Sequence, residues 1–196
     1  MKLEQILVVP TTILFPENST GFIEGNFDHY TQKIVANSLF IQRAQAEQDP
    51  SFQQIIPYLV FMHDNKVFMM QRKETAGEQR LKNKLTLGIG GHIRAEDFSL
   101  GASIIDWAQR EFEEEVDYHG SVTFKPLGII RQTVTPVDQV HTGSVYLLEG
   151  DSPKISVKEE LKSGTLVSVD ECTQRYAEFE SWSQLIIDYL KQKPLS

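Results

Sequence analysis

The chain of 196 residues contains one cysteine, Cys172, so it cannot form an internal disulfide bond. This scarcity of cysteine fits a reducing compartment. No hydrophobic run approaches the roughly 18 to 20 residues that span a bilayer. The apolar run near the amino terminus, residues 6–9, is too short for a signal peptide. We therefore expect a cytoplasmic protein with no membrane partner.

The sequence also lacks an excess of basic residues, since its formal net charge is −8 and its pI is near 5.1. Such a charge balance argues against binding to nucleic acid or to anionic membranes. It is compatible with a small anionic substrate, because a metal ion can reverse the local field. The glycine cluster at 88–91 lacks the Gly-Lys-Ser/Thr of a P-loop and the third glycine of a dinucleotide fingerprint.

What the sequence does contain is typical of a soluble globular protein, with 40% hydrophobic and 23% charged residues. We predict an amino-terminal extension over residues 1–48, packed on a domain formed by residues 49–196. Within the extension, residues 6–9 and 12–15 predict short strands, and residues 30–48 predict an intermittent helix. The extension could cover a substrate pocket or mediate homodimer formation, and its sequence does not decide between these roles.

The remainder of the chain alternates between strand-like and helix-like patterns. Mixed strands with a central and a terminal helix predict an α+β fold, an α/β/α sandwich in which a mixed β-sheet packs between helices. Predicted strands cover residues 54–62, 67–72, 85–90, 123–135, 140–148 and 165–169, and predicted helices cover residues 103–116 and 181–191. The polar segment 73–84 indicates a loop, and Asp170 is expected to cap a short helix.

A glycine turn, Gly90-Gly91-His92, precedes a helix whose end carries many carboxylates. Residues three and four apart share a helical face, so Glu111, Glu114 and Glu115 project side by side as a carboxylate cluster. Like charges at that spacing destabilise a helix unless positive charge lies among them. We expect a divalent cation there, because Mg²⁺ prefers oxygen ligands and is held by a few carboxylates together with substrate phosphates.

Residues around the carboxylate cluster extend this hypothesis. Arg110 offsets one charge at most, and it could instead pair with Glu96 or Asp97 near the turn. Glu113 points away from the face of the cluster. The turn glycines can bring backbone close to a ligand and present amides to an anion, with His92 beside them. The alternative is a plain turn followed by a solvated helix end, which is the commoner role of either feature alone.

Gly91 followed by Arg110-Glu111-Phe112-Glu113-Glu114-Glu115-Val116 resembles the Nudix box, G-x5-E-x7-R-E-U-x-E-E-x-G-U with U apolar. The R-E-U-x-E-E core matches at every position. The order of strand hairpin, glycine turn, helix, antiparallel strands and terminal helix over residues 54–192 is also similar to that family. The Gly-Gly-His-Ile turn with its lengthened spacer resembles a bacterial subgroup of Nudix proteins that are predicted phosphoesterases.

This resemblance implies a metal-dependent hydrolase that cleaves a phosphoanhydride bond of a nucleoside diphosphate derivative or a related organic diphosphate. The implied cofactor is Mg²⁺ or Mn²⁺. The implied site comprises Gly90, Gly91 and His92 for substrate, Arg110, Glu111 and Glu114 for catalysis, and Glu111, Glu114 and Glu115 for the metal. Nudix enzymes often use a further carboxylate from outside the box, for which Glu149, Glu159 and Glu160 are undistinguished candidates.

The chain departs from the Nudix pattern in its spacer and after its glutamates. The spacer is five residues longer than the family spacing, and Ala102 occupies the strict position of the first glutamate. Glu96 or Asp97 could replace that glutamate. Asp117 and Tyr118 stand where the pattern has a glycine and an apolar residue. These departures motivate a second hypothesis, a non-catalytic nucleotide-binding sensor or interaction module on the same fold.

Other conspicuous residues support weaker functional hypotheses. His141, at the start of a predicted strand, could contact substrate, and a hydrogen-bonded structural histidine is the alternative. Arg72 and Arg131 could bind phosphate, although isolated arginines are usually exposed. Cys172 lies beside two acidic residues, which raise the pKa of a thiol and make it a poor nucleophile.

Overall fold

The computed structural model describes residues 4–73, 84–96, 103–158 and 161–193. It confirms the predicted α+β class, with helices accompanying a mixed sheet. Most of the loop predicted at 73–84 lies outside the described residues, as do Asp97, Ala102, Glu159 and Glu160. The roles predicted for Asp97, Glu159 and Glu160 therefore stay predictions. Within the described part of the chain, no helix is long and apolar enough to cross a membrane.

The described strands are β1 (Gln5–Pro10), β2 (Gly21–Glu24), β3 (Leu39–Gln42), β4 (Phe52–His63), β5 (Lys66–Arg72), β6 (Leu85–Thr86), β7 (Gly88–Ile89), β8 (Val116–Tyr118), β9 (Val122–Arg131), β10 (His141–Gly150), β11 (Ile155–Val157) and β12 (Leu161–Ser168). The described helices are α1 (Thr11–Leu14), α2 (Phe27–Asn37), α3 (Arg43–Ala46), α4 (Ile104–Glu115), α5 (Val169–Gln174) and α6 (Ser181–Gln192).

The chain forms two compact units. The first comprises Met1–Tyr58, Gly90–Ala108 and Pro126–Tyr146, and the second comprises Leu59–Ile89, Gln109–Lys125 and Leu147–Ser196. The extension predicted over residues 1–48 falls wholly in the first unit, together with later segments of the chain. The predicted division into residues 1–48 and 49–196 stays a prediction.

Strand pairing in the first unit ties the amino-terminal segment to later strands. β1 pairs antiparallel with β3 and with β4, and its residues Ile6 and Val8 are fully buried. β2 pairs antiparallel with β9, which places Ile23 opposite Ile129. Strands β4, β10, β9 and β2 are neighbours in that order. The amino-terminal strands thus contribute apolar side chains to the core of this unit.

Two expectations for the amino-terminal segment are wrong. The strand predicted at 12–15 is instead the helical turn α1, in which the Phe15 N–H donates to the Thr11 carbonyl at 2.9 Å. The helix predicted across 30–48 is interrupted, because Ser38 is extended and the next four residues form β3. Antiparallel hydrogen bonds to β1 outweigh the weak helical periodicity of that stretch.

The second unit contains the predicted hairpin, in which the end of β4 pairs with the start of β5. Asp64 and Asn65 form its turn with φ values of 47° and 60°, which aspartate and asparagine tolerate better than most residues. β12 and β6 both pair with β5, and β7 pairs with β4. The strand predicted over 85–90 is divided into β6 and β7 around Leu87, whose N–H donates to the Ser183 hydroxyl at 2.9 Å.

An aromatic cluster lies in the core of the second unit. Phe61 is fully buried, and its ring centroid is 6.1 Å from that of Phe112 in a stacked arrangement. The Phe68 and Tyr118 rings meet Phe61 edge-on at 6.3 and 5.1 Å. Because Phe112 belongs to α4, aromatic packing anchors the helix that carries the predicted carboxylate cluster.

The cap of α5 is Ser168 rather than the predicted Asp170. The Ser168 hydroxyl accepts from the Glu171 N–H at 3.2 Å, and the Glu171 carboxylate accepts from the Ser168 N–H at 2.9 Å. This reciprocal capping box satisfies two backbone donors that the helix itself leaves unbonded. Asp170 instead lies in the first turn, where a negative charge is favourable to the helix dipole.

Candidate functional site

The start of helix α4 is fixed by local hydrogen bonds. The Ser103 hydroxyl donates to the Asp106 carboxylate at 2.6 Å and accepts from the Asp106 N–H at 3.2 Å. Trp107 and Phe112 are buried, so one face of the helix belongs to the core. Glu111 lies one helical turn after Trp107 and directly before Phe112, and it is also buried. The helix therefore holds one predicted metal ligand on its apolar face.

Arg110 lies between two residues of the carboxylate cluster. Its Nη2 is 2.6 Å from Glu111 Oε1, and its Nη1 is 2.8 Å from Glu114 Oε2. The side chains of Arg110 and Glu111 are 11% and 10% exposed, whereas that of Glu114 is 53% exposed. One guanidinium thus contacts a buried and an exposed carboxylate. The alternative pairing of Arg110 with Glu96 or Asp97 stays a prediction. Glu96 Oε1 lies 3.8 Å from Arg94 Nε, and Asp97 is outside the described residues.

Glu115 is half-buried and follows Glu111 by one helical turn. Glu113 is exposed, and its carboxylate accepts from Gln109 Nε2 at 2.8 Å. Lys158 donates its ammonium to the Glu113 carbonyl and its backbone N–H to the Glu115 carbonyl, the latter at 2.9 Å. These bonds satisfy carbonyls that the end of α4 leaves unbonded, and the lysine charge complements the helix dipole. Lys158 therefore stabilises the end of the helix that bears the cluster.

The cluster suits Mg²⁺ or Mn²⁺ in donor type and charge, since Glu111, Glu114 and Glu115 supply hard carboxylate oxygens. Among the described residues, no group of three His, Cys, Asp or Glu side chains converges as a preformed metal cage. The Arg110 guanidinium contacts two of the three carboxylates. The residues present therefore fit the ion in donor type and charge, and Arg110 sets the orientation of two of the three carboxylates.

The two residues that depart from the Nudix box after the glutamates belong to strand β8. Asp117 is exposed and lies opposite Ser156 in the antiparallel pairing of β8 with β11. The Tyr118 hydroxyl donates to the Asp151 carboxylate at 3.1 Å and accepts from the Ser152 N–H at 3.0 Å. Strand pairing thus fixes the chain after α4, so the glycine of the family pattern is not needed there.

Gly90 closely approaches the backbone of β4. A Cβ placed on Gly90 would lie 1.9 Å from the Pro57 carbonyl oxygen, far inside van der Waals contact. The sequence predicts that this glycine brings backbone close to a ligand. The structure shows that it also brings backbone close to the chain's own strand, which is reason enough for glycine at this position.

Replacing Gly90 with alanine is expected to destabilise the protein by about 3 kcal/mol, because its Cβ collides with a backbone carbonyl. Thermal or urea denaturation measures the loss. Gly25→Ala is the control, since Gly25 has open space around it and a φ of +74°. Its cost is therefore conformational only, about 1 kcal/mol. Equal losses in the two variants would contradict the close approach of Gly90 to β4.

His92, His141 and Gln54 form a largely buried hydrogen-bond network in the first unit. His141 Nδ1 lies 2.8 Å from the Val137 carbonyl, which can only accept, so Nδ1 carries the proton. His92 Nε2 lies 2.8 Å from Gln54 Oε1 and 3.4 Å from His141 Nε2. The His92 Nε2–H therefore donates to Gln54 and points toward the unprotonated nitrogen of His141. The His92 ring is neutral in this arrangement, because it donates through one nitrogen and burial disfavours its charged form.

Burial lowers the pKa of His92 from 6.5 to about 3, with smaller contributions from the positive charge of Arg43 and from His141. His92 is therefore uncharged at neutral pH and acts through hydrogen bonds. The structure places His141 in a hydrogen bond with the Val137 carbonyl, as expected of a structural histidine. Its contact with substrate stays a prediction.

The depressed pKa of His92 makes stability depend on pH. Below pH 6.5 the imidazole of His92 is protonated in the unfolded chain, whereas in the folded chain it stays unprotonated down to about pH 3. The folded state therefore loses stability relative to the unfolded state as the pH falls from 6.5 to about 3. The free energy of unfolding of the wild-type protein is expected to fall more steeply than that of His92→Gln, by up to about 1.4 kcal/mol per pH unit. Urea denaturation at several pH values measures both slopes, and parallel slopes would refute the assignment.

Of the candidate carboxylates outside the helix, the structure describes Glu149. Its Oε2 lies 2.6 Å from Lys125 Nζ in a half-exposed ion pair. Glu159 and Glu160 are among the residues that the structure does not describe. The water-activating role therefore stays a prediction for all three.

Arg131 is nearly fully buried, unlike most isolated arginines. Its guanidinium donates to the Ser19 carbonyl at 3.1 Å and to the Asn18 side-chain oxygen at 3.2 Å. It also lies 4.5 Å from the centroid of the Phe15 ring. These contacts tie the amino-terminal segment to β9, and phosphate binding by Arg131 stays a prediction. The Arg72 side chain is not described.

Cys172 is a fully buried free thiol. Burial raises the pKa of Cys172, and the neighbouring Glu171 carboxylate raises it further by a smaller amount, to about 11. A thiol that stays protonated at neutral pH is a poor nucleophile, as the sequence predicts.

Motif spacing does not single out Gln54 or Lys158. Gln54 and its neighbour Gln53 are both fully buried within the apolar strand β4. Two consecutive amides in such a strand are a usable signal, because buried polar groups need partners. Lys158 carries no comparable signal, since its contact with the end of α4 accompanies the long-range pairing of β8 with β11.

Comparison with known proteins gives three informative similarities. Protein YmaB of Bacillus subtilis is 33% identical over 203 residues, which cover 96% of this chain and 98% of YmaB. The crystal structure of Tm1382, a candidate Nudix hydrolase, is 31% identical and superimposes with a TM-score of 0.81 over 96% of this chain and 99% of its own. No family model matches the chain.

A more distant similarity is to a bifunctional NMN adenylyltransferase/ADP ribose pyrophosphatase from Francisella tularensis, solved in complex with AMP and a Mn ion. It superimposes with a TM-score of 0.54 and 17% identity over 72% of this chain and 42% of its own. At that identity the similarity shows the fold alone.

Proposed function

Because this chain belongs to the Nudix hydrolase family and is an enzyme of the Nudix pyrophosphohydrolase type, we propose that it cleaves a phosphoanhydride bond of a nucleoside diphosphate derivative or a related organic diphosphate. The observation that carries this proposal is the end of α4, where Arg110 contacts both Glu111 and Glu114 and Glu115 follows one turn after Glu111. Such an arrangement concentrates oxygen donors and holds two of them in defined orientations.

Each residue of the cluster has a distinct proposed part. Glu111, Glu114 and Glu115 would hold Mg²⁺ or Mn²⁺. When bound, the ion would neutralise diphosphate charge and lower the pKa of an attacking water. One of these three glutamates, or a glutamate from outside the helix such as Glu149, Glu159 or Glu160, would accept the proton of that water, since a carboxylate within hydrogen-bond reach can act as a general base. Arg110 would orient both carboxylates through its two contacts.

The Gly90-Gly91-His92 turn is the proposed substrate-binding segment. Its backbone amides would donate hydrogen bonds to the anionic diphosphate. Local donors of this kind are needed because the net charge of the chain, −8, repels an anion at long range. His92 is neutral at this turn, so its contribution is hydrogen bonding and not charge. Specificity for the rest of the substrate would then come from residues beyond the turn.

The choice of cofactor and setting has indirect support. The Francisella tularensis protein was solved with AMP and a Mn ion, which are ligands of that protein and agree with the nucleotide and metal proposed here. We also propose a cytoplasmic setting without nucleic-acid or membrane partners, on the basis of the acidic charge balance. Homodimer formation through the amino-terminal segment stays a prediction.

Phosphorus NMR tests the proposed reaction. The purified chain is incubated with a panel of nucleoside diphosphate derivatives, ADP-ribose included, with Mg²⁺ or Mn²⁺ and then with excess EDTA. Diphosphate resonances are expected to be replaced by monophosphate resonances only when the metal is available. Ligand binding by calorimetry without any product would overturn the proposal in favour of the sensor hypothesis. Product formation that EDTA leaves unchanged would overturn the metal dependence.

A further inference from the structure

We infer that Gln54 and His141 are positioning residues, which hold the Gly90–His92 turn in its substrate-binding geometry by acting through the His92 ring. This inference rests on the proposed function, because it assigns these residues an effect on substrate binding at that turn. Neither residue belongs to the Nudix box, and neither needs to touch the substrate.

The first observation is a directional hydrogen-bond relay. The Val137 carbonyl fixes the tautomer of His141, whose Nε2 then faces His92 as an acceptor at 3.4 Å. Gln54 Oε1 accepts from the same His92 nitrogen at 2.8 Å. One N–H of His92 is thus directed by two acceptors from two different strands, β4 and β10. A neutral ring held in this way cannot rotate without losing both contacts.

The second observation is that the same segment is held by backbone contacts. The Leu7 N–H of β1 donates to the Ile93 carbonyl at 2.8 Å, and Ile6 forms a bridge with Arg94. On the other side of His92, Gly90 lies directly against the Pro57 carbonyl. The side-chain contacts of His92 therefore lie between two backbone contacts that hold the same segment. This also gives strand β1 of the predicted extension a role in framing the turn.

The third observation is that burying the Gln54 amide is unfavourable to stability. Its side chain is fully buried, yet its Nε2 has no hydrogen-bond partner in the part of the chain that the structure describes. A buried donor left unsatisfied destabilises a fold, so stability alone does not explain an amide here. Holding His92 through the amide oxygen does explain it. Each buried unsatisfied group in a fold calls for an explanation, and a functional role is one of them.

The neighbouring Gln53 provides a matched contrast. It is also fully buried in β4, but its Nε2 donates to the Gln139 carbonyl at 2.8 Å and its Oε1 accepts from Thr142 at 2.8 Å. Both ends of this amide are therefore satisfied. Consecutive strand residues face opposite sides of a sheet, so Gln53 has no part in the His92 relay. We therefore expect Gln53 to contribute to the stability of the fold and Gln54 to hold the His92 ring in position.

The test compares Gln54→Met with Gln53→Met, because methionine is close to glutamine in length and volume. Gln54→Met is expected to raise KM for the diphosphate substrate about tenfold, with kcat within about twofold and a melting temperature near that of the wild type. Gln53→Met is expected to lower the melting temperature and leave KM within about twofold. Equal KM values for Gln54→Met and the wild type would overturn the inference, as would a KM increase of the same size in both variants.

His141 provides a second variant that does not depend on Gln54. In His141→Asn the shorter amide can still donate to the Val137 carbonyl, but the acceptor that faces His92 is lost. KM is expected to rise several-fold, and His141→Gln, which can return an oxygen to that position, is expected to recover most of the loss. An unchanged KM in His141→Asn would count against the relay. If the wild-type protein hydrolyses no diphosphate, the proposed function fails first, so the two failures are distinguishable.

Discussion

Replacing Glu114 with glutamine is expected to lower kcat/KM for diphosphate hydrolysis by about a hundredfold or more, the effect of removing a metal ligand or a general base. The substitution keeps the size of the side chain and removes its charge. Because the Glu114 side chain is 53% exposed, its ion pair with Arg110 contributes less than about 1 kcal/mol to folding. Activity should therefore fall while stability is nearly unchanged. Steady-state kinetics and a urea denaturation curve measure the two effects.

Glu113→Gln is the matched control for this experiment. Glu113 is the preceding residue of the same helix, it is also exposed, and its carboxylate contacts Gln109 rather than Arg110. The change in net charge is identical. Activity of Glu113→Gln is expected to stay within about twofold of the wild type. If both variants lost activity equally, the overall charge of the helix end would be responsible, and the assignment of the carboxylate cluster would be wrong.

Replacing Arg110 with methionine is expected to reduce the free energy of unfolding by about 3 kcal/mol, the scale of breaking a buried ion pair from one side. Methionine keeps an apolar stem but removes the guanidinium that lies 2.6 Å from Glu111 Oε1. Because the Glu111 side chain is only 10% exposed, water cannot fully replace that contact. Urea denaturation at neutral pH measures the loss. A fall in kcat should accompany it, since Arg110 orients two proposed catalytic carboxylates.

Arg43→Met is the control for the buried ion pair. Arg43 also contacts two carboxylates, those of Glu4 at 3.1 Å and Glu47 at 2.9 Å, but its side chain is 41% exposed. Exposed pairs of this kind contribute little, so the expected loss is below about 1 kcal/mol. A loss in Arg110→Met no larger than that in Arg43→Met would show that Glu111 is well solvated. It would also contradict the proposal that Arg110 orients a buried carboxylate.

Elements set by local signals could be predicted from the sequence. The hairpin of β4 and β5 follows from two apolar runs around Asp64 and Asn65, which adopt the backbone angles that such a turn requires. Helix α4 follows from its apolar spacing and from the serine that begins it. In both cases the residues that decide the structure are close together in the chain.

Elements that depend on distant partners could not be predicted. β3 is a strand because β1 pairs with it, although its own sequence is weakly helical. β8 is a strand because β11 lies beside it, and this pairing also explains how the chain accepts Asp117 in place of a glycine. The sequence contains no short-range signal that either of these pairings forms. These are the places where tertiary hydrogen bonding decides the conformation.

For the candidate site, the sequence predicted residue types better than contacts. Glu111, Glu114 and Glu115 lie on α4 as expected, but helical spacing alone did not show that Glu111 belongs to the apolar face or that Arg110 contacts two carboxylates. The relay through Gln54 was missed, since its partners come from segments far apart in the chain. Motif spacing thus predicts which residue types form the candidate site, and only the fold shows which of these groups restrain one another.

Mn²⁺ binding followed by electron paramagnetic resonance tests the central claim most directly, because the signal of free Mn²⁺ falls as the ion binds. The wild-type protein and Glu113→Gln are expected to bind Mn²⁺ with the same affinity, and Glu114→Gln is expected to bind it at least about tenfold more weakly. Indistinguishable Mn²⁺ binding in Glu114→Gln and Glu113→Gln would contradict the claim that the carboxylate cluster of α4 holds the catalytic metal.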